Sequence, residues 1–143
     1  MSIPSGVFPV HNNKFEVKVG SEWKEIANLE GFSVTFDGTV EEWYAMENEG
    51  WASALKTGMK WSISLKGKRT VGDAGNDYIA EKKMQTGQDA YADFRWTLPT
   101  GTAIEQQMVV NVKADGTGDT TNVGSLEADL QSNGKPTVTP AGG

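Results

Sequence analysis

Apolar and polar residues alternate along most of this chain, which is the period-two pattern of β-strands that bury one face. The alternating segments are residues 14–19, 32–36, 59–65, 92–98, 104–112 and 126–130. A shorter strand is predicted at residues 23–27. Asp37 and Gly38 form a strong tight-turn signal, which predicts a further strand at residues 39–44.

One segment departs from this alternation and is predicted to be a helix, at about residues 75–85. Asp73 or Asn76 can cap its start, and Gly87 suits the left-handed position after its end. With about seven or eight strands and one helix, the pattern predicts a mainly β fold. We expect a β-sandwich or a partly rolled barrel, flanked by this short α-helix.

The predicted strands leave sheet edges that nothing in the sequence protects. Neither residues 14–19 nor residues 121–131 contain the proline that often blunts an edge strand. Exposed strand edges pair readily with other chains. These edges are therefore either a liability or a surface for assembly.

Pro, Gly and polar residues suggest where the domain begins and ends. We predict an N-terminal arm at residues 1–13, a β domain at residues 14–134 and a C-terminal arm at residues 135–143. Within the domain, a long loop is expected at about residues 44–58. A polar, glycine-rich loop is expected at residues 114–124.

Composition narrows the function. The chain has 143 residues and a net charge of −6, which opposes nonspecific binding to nucleic acid or anionic membranes. There is no cysteine, and His11 is the single histidine, so a zinc site or a Ser-His-Asp triad is disfavoured. No signal peptide or spanning segment is apparent. We expect synthesis in the cytoplasm and no membrane partner.

Two loops resemble ligand-binding motifs and fail the comparison. Asp115 and Asp119 suggest a calcium loop, but Leu126 stands where an EF-hand needs an acidic residue. The glycines of residues 72–77 lack the Lys-Ser/Thr pair of a phosphate loop, and their aspartates suit a helix cap instead. We predict no metal and no cofactor.

The segment at residues 40–58 combines carboxylates with aromatic rings, as a sugar-cleaving or sugar-binding site does. A glycosidase needs two carboxylates about 5–9 Å apart on a rigid scaffold. Glu41 and Glu42 are adjacent, so on a strand they point to opposite faces. Catalysis is disfavoured. Trp43 and Trp51 could stack on sugar, anchor an interface or fill the core of their own subunit.

The order of features along the chain resembles that of major tail tube proteins of long-tailed, siphovirus-type bacteriophages. The segments that carry the resemblance are VEEWYAMENEGWASALKTGMKWSISLKGKR, VGDAGNDYIA, DFRWTLPTGT and VGSLEADLQSNGKPT. They occur in the expected order, and the likeness covers about residues 14–138. The resemblance implies a virion protein whose hexameric rings stack into a hollow tube, through which DNA passes to the host.

The resemblance also implies roles for particular residues. In such a ring the sheets of neighbouring copies join into one barrel around the channel, and we expect Glu16, Glu127 and Asp129 to face that channel. The loop at residues 44–58 would reach the adjacent ring. Its inter-ring candidates are Trp43, Glu47, Glu49 and Trp51, and their basic partner candidates are Lys66, Lys68 and Arg69.

The resemblance implies other tail proteins as partners, namely an initiator, a tape measure and a terminator. DNA would pass through the lumen without specific binding. No enzyme activity is expected. The alternative is a carbohydrate-binding β-sandwich module of a virion, with Trp43, Tyr44 or Trp51 exposed on a monomer. A tube subunit of a contractile tail or a type VI secretion system is a further alternative.

Overall fold

The computed structural model describes residues 6–141, and in that range the strands form one antiparallel sheet. The strands are β1 (Lys14–Val19), β2 (Glu22–Glu25), β3 (Leu29–Tyr44), β4 (Ala52–Lys68), β5 (Tyr91–Thr97), β6 (Ala103–Thr117), β7 (Ser125–Ser132) and β8 (Thr137–Thr139). The one α-helix among these residues is α1 (Ala74–Ala80). Short 3-10 turns lie at Val10–Asn12, Met46–Asn48, Glu81–Met84 and Gly87–Ala90.

The sheet is open and strongly curled. Its strand order is β2-β1-β5-β6-β7-β4-β3, so β2 and β3 are the two ends, and β8 pairs only with β6 beside this path. β1 and β3 are far apart in this order, yet the ring centroids of Phe15 and Phe32 are 4.8 Å apart. The two ends of the sheet therefore face each other across the core. The predicted mainly β fold with a partly rolled sheet and one short helix is confirmed.

The core lies inside the curl and is built from the alternating apolar positions. Rings from three strands pack together: Phe15 on Phe94 at 6.1 Å and Trp61 on Trp96 at 6.1 Å. Burial of each such side chain stabilises the fold by about 1.5–3 kcal/mol. The buried apolar residues include Val17, Ile63, Leu65, Ile79, Ala92, Met108, Val110, Leu126, Ala128 and Leu130.

Helix α1 is too short to be stable alone and is held by its contacts. Asp73 caps it, because its carboxylate accepts the backbone N–H groups of Asn76 at 3.0 Å and Ala27 at 3.1 Å. The buried Asn76 side chain in turn donates to the backbone oxygen of Ala27. Ile79 and Ala80 pack into the core. The prediction of one short helix is confirmed, and of the two candidate caps, Asp73 and Asn76, the structure shows Asp73; α1 ends at Ala80, and a 3-10 turn takes the place of the predicted helix beyond it.

Two predictions about the β3–β4 region are wrong. Residues 44–58 are not a long loop, because β3 ends at Tyr44, β4 begins at Ala52, and only residues 45–51 connect them. Asp37 and Gly38 do not form a turn. Residues on β4 face every residue of this segment, Asp37 across from Lys60 for example, so pairing overrides the local turn preference.

The ends of other elements also differ from expectation. β6 runs on to Thr117, so the polar loop is shorter than predicted. Part of the C-terminal arm joins the sheet, because β8 pairs with residues 103–105 of β6. The strands whose edges were thought unprotected, β1 and β7, are interior strands. Residues 1–5 and 142–143 of the predicted arms lie outside the described residues.

Candidate assembly surface

The β3–β4 hairpin extends well beyond the rest of the sheet. β7 pairs with β4 only over residues 62–68, so the first part of β4 is paired with β3 alone. We call residues 36–60 the arm. Its β3 strand, residues 36–44, spans about 30 Å at roughly 3.3 Å per residue. An isolated two-stranded ribbon of this kind is only marginally stable in water.

The tip of the arm is a defined turn. The Asn48 side chain donates to the Ser53 hydroxyl at 2.7 Å, and the Trp51 backbone N–H donates to the Asn48 carbonyl at 2.9 Å. Glu49 and Gly50 both have positive φ, 53° and 92°, which reverses the chain. The tip therefore presents its side chains in fixed directions.

Apolar side chains are concentrated on the arm. Among residues 6–141, eight of the fifteen exposed large hydrophobic residues belong to it. They are Phe36, Val40, Trp43, Tyr44, Met46, Trp51, Leu55 and Met59. Exposed apolar surface concentrated in this way is typical of a protein interaction site.

The strand register places these side chains on both faces of the arm. Phe36, Val40 and Tyr44 alternate along one face of β3. Trp43 lies on the other face, diagonal to Leu55, because Glu41 is the residue opposite Leu55. A two-stranded ribbon cannot cover either of its own faces. Both apolar faces therefore need surfaces from outside the arm.

The two tryptophans do not fill the core of their own subunit, so that alternative is wrong. Trp43 is 47% exposed and Trp51 is 79% exposed. Their exposure is compatible with an interface anchor and with a sugar platform. The neighbouring Val40, Leu55 and Met46 favour an interface, since a sugar site also needs polar groups that fix the orientation of the ligand.

The arm is acidic as well as apolar. Residues 40–55 contain four glutamates and no lysine or arginine. Within the described part of the chain, none of Glu41, Glu42, Glu47 and Glu49 has a cation within 4 Å. Glu41 and Glu42 are successive residues of β3 and point to opposite faces, as the sequence predicts.

The basic partner candidates lie at the other end of β4, about 45 Å along the strand from the tip at roughly 3.3 Å per residue. Within one copy they cannot reach the arm glutamates. Lys68 pairs with Glu30 at 3.3 Å. Lys66 is exposed, and no carboxylate among residues 6–141 lies within 4 Å of it. Lys66 is thus the most available of the three.

Arg69 is already occupied within its own chain. Its guanidinium donates to Asp115 at 2.8 Å and to Asp77 at 2.7 Å, and its side chain is only 18% exposed. The hydrogen bond from Arg69 lowers the pKa of Asp77. Lys83 and then Arg69 lower the pKa of Asp115. This network ties α1 to β4 and β6, which the sequence did not reveal.

The three residues predicted to face the channel differ in the exposure and the ion pairing of their carboxylates. Glu16 is 9% exposed at its side chain and accepts Arg95 at 2.9 Å, so it offers little carboxylate to a channel. Asp129 binds Lys113 at 2.8 Å. Glu127 is exposed and has no salt bridge within residues 6–141. All three lie on the polar face of the sheet.

The outer edge of β3 is a second unsatisfied surface. The strand pairs with β4 on one side only, along its whole length apart from a bulge at Glu30, and it contains no proline. Such an edge presents unpaired backbone N–H and C=O groups to any strand that approaches. The opposite edge, β2, has only four residues.

Sequence reasoning missed several residues of this surface. Phe36, Val40, Met46, Leu55 and Met59 were read as ordinary strand or loop positions. The available signal is the apolar alternation that continues from residue 32 to residue 40, interrupted only by Gly38. Its continuation indicates that the strand itself, rather than a loop, carries the exposed apolar side chains.

Other kinds of site find no support in the described residues. Among residues 6–141, no cluster of three or more His, Asp or Glu side chains is placed to hold a metal ion. No helix in this range has the length and apolar character needed to cross a membrane.

Comparisons with known proteins show what the fold is similar to. No family model matches the sequence, and no curated protein matches it. A chain in the tail of an empty gene transfer agent (GTA) particle, solved by helical refinement with C6 symmetry, has a TM-score of 0.76 at 18% identity. The match covers 93% of this chain and 99% of that chain.

Two further solved structures share the fold. A chain in the virion of a native GTA particle has a TM-score of 0.72 at 16% identity, covering 93% of this chain and 99% of that one. A chain in the extended sheath–tube complex of PVC, an extracellular contractile injection system, has a TM-score of 0.55 at 16% identity. There the coverage is 94% and 93%. At these identities the likeness establishes a shared fold.

Proposed function

We propose that this protein is a structural subunit of a particle tail tube. The observation that carries the proposal is the open sheet, which ends in a long free edge and an arm with two exposed apolar faces. Such a molecule is incomplete as a monomer, and copies of itself can complete it. Support comes from the fold, which is similar to chains of a GTA tail and of an injection-system sheath–tube complex.

Lateral contacts between copies would use the sheet edges. The free edge of β3 would pair with a strand of the neighbouring copy, and closing a ring would remove every exposed edge. A ring of identical copies needs such a head-to-tail contact, in which two different surfaces meet. We propose six copies per ring, and the C6 symmetry of the similar GTA tail supports this number.

Axial contacts between rings would use the arm. Its length lets it reach beyond its own ring, and Trp43 and Trp51 would be its aromatic anchors in the adjacent ring. The unpaired carboxylates of Glu47 and Glu49 would meet basic groups there. Lys66 is the best partner for them, because Lys68 and Arg69 already hold carboxylates of their own chain.

The polar face of the sheet would line the channel through which DNA passes to the recipient cell. Glu127 and Asp129 are the channel carboxylates in this proposal. Glu16 is left out of the proposed channel lining, because its side chain is nearly buried. The subunit would be made in the host cytoplasm and function in the tail, together with an initiator, a tape measure and a terminator. The role requires no catalysis and no cofactor.

The first test is negative-stain electron microscopy of the concentrated protein. We expect hollow tubes of uniform diameter. Replacing Met46 and Trp51 together by alanine should abolish the tubes, because both side chains are exposed in the monomer and would be buried between rings. The unfolding free energy should change by no more than about 0.5 kcal/mol, as for other exposed sites.

A control removes exposed apolar side chains from another part of the surface. Val71 and Met84 are also exposed, at 83% and 85%, but lie outside the arm. Their double alanine variant should form normal tubes. The proposed role of the arm would be refuted if the wild type stayed monomeric at every concentration. It would also be refuted if tubes still formed after loss of Met46 and Trp51.

A carbohydrate-binding module is the second candidate. Trp43, Tyr44 and Trp51 are all exposed, as this function requires. A screen of the monomer against immobilised glycans distinguishes the two functions. Saturable glycan binding that is lost with Trp51→Ala, in a protein that never forms tubes, would favour this alternative.

A further inference from the structure

Charged side chains of both signs share the polar face of β4, β6 and β7. Lys66, Glu127 and Asp129 alternate along their strands with buried residues, so they project from the side of the sheet opposite the core. Together with Lys113 they line a shallow groove of about 370 Å³. This face is therefore not purely acidic.

Each lysine in the groove lies beside a carboxylate. Lys113 Nζ is 2.8 Å from one oxygen of Asp129, and the hydroxyl of Ser64 donates to the other oxygen at 2.7 Å. Glu127 lies directly across from Lys66 in the β4–β7 register. Asp129 raises the pKa of Lys113, and Glu127 contributes to the same shift. Asp129 thus neutralises Lys113 by direct contact, whereas Glu127 faces Lys66 across the register without a salt bridge to it.

The same arrangement recurs elsewhere on this face. Lys60 lies 3.7 Å from Asp37, and Arg95 lies between two carboxylates, Glu16 at 2.9 Å and Glu105 at 3.4 Å. Lys18, toward the opposite end of the sheet, is an exception within the described residues. Pairing between neighbouring strands therefore recurs on this face, although Lys66, like Lys18, has no salt bridge within residues 6–141.

We propose that Glu127 and Asp129 act as a charge mask, which hides Lys66 and Lys113 from polyanions. The masked face contacts DNA without holding it. The placement of DNA beside this face rests on the proposed function, whereas the masking itself is a property of the single chain. Glu127 and Asp129 thereby act through the lysines and not only by repelling phosphate.

The consequence of losing the mask is large in an assembly. Each lysine that contacts a phosphate adds about −0.9 to the slope of log K against log salt concentration. Two unmasked lysines would contribute about −1.8 per copy. Repeated in every subunit of a ring, such contacts would hold DNA in place instead of letting it slide.

The experiment compares DNA binding by variants of the full chain. The unmasked variant is Glu127→Gln with Asp129→Asn, and the control is Glu81→Gln with Asp89→Asn, which changes the net charge equally at exposed positions outside the sheet. A labelled DNA duplex is titrated at low salt and followed by fluorescence anisotropy. We expect the unmasked variant to bind at least about tenfold more tightly than the wild type or the control.

A third variant adds Lys66→Gln and Lys113→Gln to the unmasked variant. It should return DNA binding to the wild-type level, although the carboxylates are still absent. Equal gains in the unmasked variant and the control would overturn the mask, because net charge alone would then explain binding. So would a gain that survives removal of both lysines.

Folding and assembly are controlled separately. Thermal melting checks the fold of each variant. Glu127→Gln alone is a milder version, because the Glu127 side chain is exposed and makes no hydrogen bond within residues 6–141. Single chains suffice for the titration. Absence of tubes would count against the tail-tube function and leave the mask standing, whereas tubes without unmasked binding would count against the mask alone.

Discussion

Gln106 shows how one buried polar residue connects distant parts of the chain. Its side-chain oxygen accepts the indole N–H of Trp61 at 2.8 Å, and its amide nitrogen donates to the backbone oxygen of Gly134 at 2.6 Å. Trp61 lies at the base of the arm, stacked on Phe36 at 6.3 Å. Gly134 precedes β8. One amide therefore joins the base of the arm to the C-terminal segment.

Replacing Gln106 by leucine tests this connection. The change leaves the buried N–H of Trp61 without an acceptor, which costs about 1–3 kcal/mol of unfolding free energy. Urea denaturation followed by tryptophan fluorescence measures the loss. The matched control is Gln107→Leu at the exposed neighbouring position, where we expect a change within about 0.5 kcal/mol. Equal losses of unfolding free energy at positions 106 and 107 would contradict the role given to the Gln106 side chain.

At the scale of elements, the fold depends on contacts that join helix and sheet. Arg69 follows β4, Asp77 lies in α1 and Asp115 lies near the end of β6, and one guanidinium holds both carboxylates. Lys83, after α1, adds a third ion pair to this network, with Asp115 at 2.7 Å. These ion pairs fix the position of a helix that is too short to form unaided.

This network predicts a pH dependence. The pKa values of Asp77 and Asp115 are both lowered in the folded state, by hydrogen bonds from Arg69 and from Lys83 respectively. The ionised carboxylates of Asp77 and Asp115 therefore stabilise the folded state above the ordinary aspartate pKa of about 4. This stabilisation is lost as the pH falls through the lower pKa values of the folded protein. The wild type should lose stability steeply below about pH 4.

The variant Asp77→Asn with Asp115→Asn should lose less stability over the same pH range, because its amides do not titrate. Urea midpoints measured at intervals between about pH 6 and pH 2 provide the comparison. The variant should be less stable than the wild type at neutral pH and approach it in acid. Parallel pH profiles for the two proteins would show that the network does not govern acid unfolding.

At the scale of the whole molecule, net charge and apolar surface oppose each other in assembly. Each copy carries a net charge of −6. In the proposed ring, copies would therefore repel one another, while burial of the arm and of the β3 edge would draw them together. Salt screens the repulsion beyond about 10 Å at 0.1 M and leaves the apolar contacts in place.

We therefore expect tubes to form at lower protein concentration as salt rises from about 0.05 M to about 0.5 M. Sedimentation of tubes from a dilution series gives the critical concentration at each salt level. A critical concentration that rises with salt would show that ion pairs between copies, such as Glu47 or Glu49 with Lys66, outweigh the repulsion. The double variant of Met46 and Trp51 serves as the assembly-defective reference.

Much of this molecule was predictable from local pattern. Alternation at positions such as Val17, Ile63, Phe94 and Leu130 predicted strands and buried faces, and the structure buries all four. The reason is that the direction of a side chain on a strand is set by its own backbone. The helix cap was predictable to within two candidates, Asp73 and Asn76, because a cap and its backbone partner lie only three residues apart in the chain.

The sequence by itself thus determined most of the strands, one short helix, the core and the acidic, aromatic character of residues 40–55. Only the tertiary structure decided that β3 is an edge, that the expected loop is an arm, and that Glu16 and Arg69 are occupied. Arg69 and Asp115 are 46 residues apart, and Glu16 and Arg95 are 79 apart. Such pairs depend on strand order and curl, which long-range packing sets and no local pattern records.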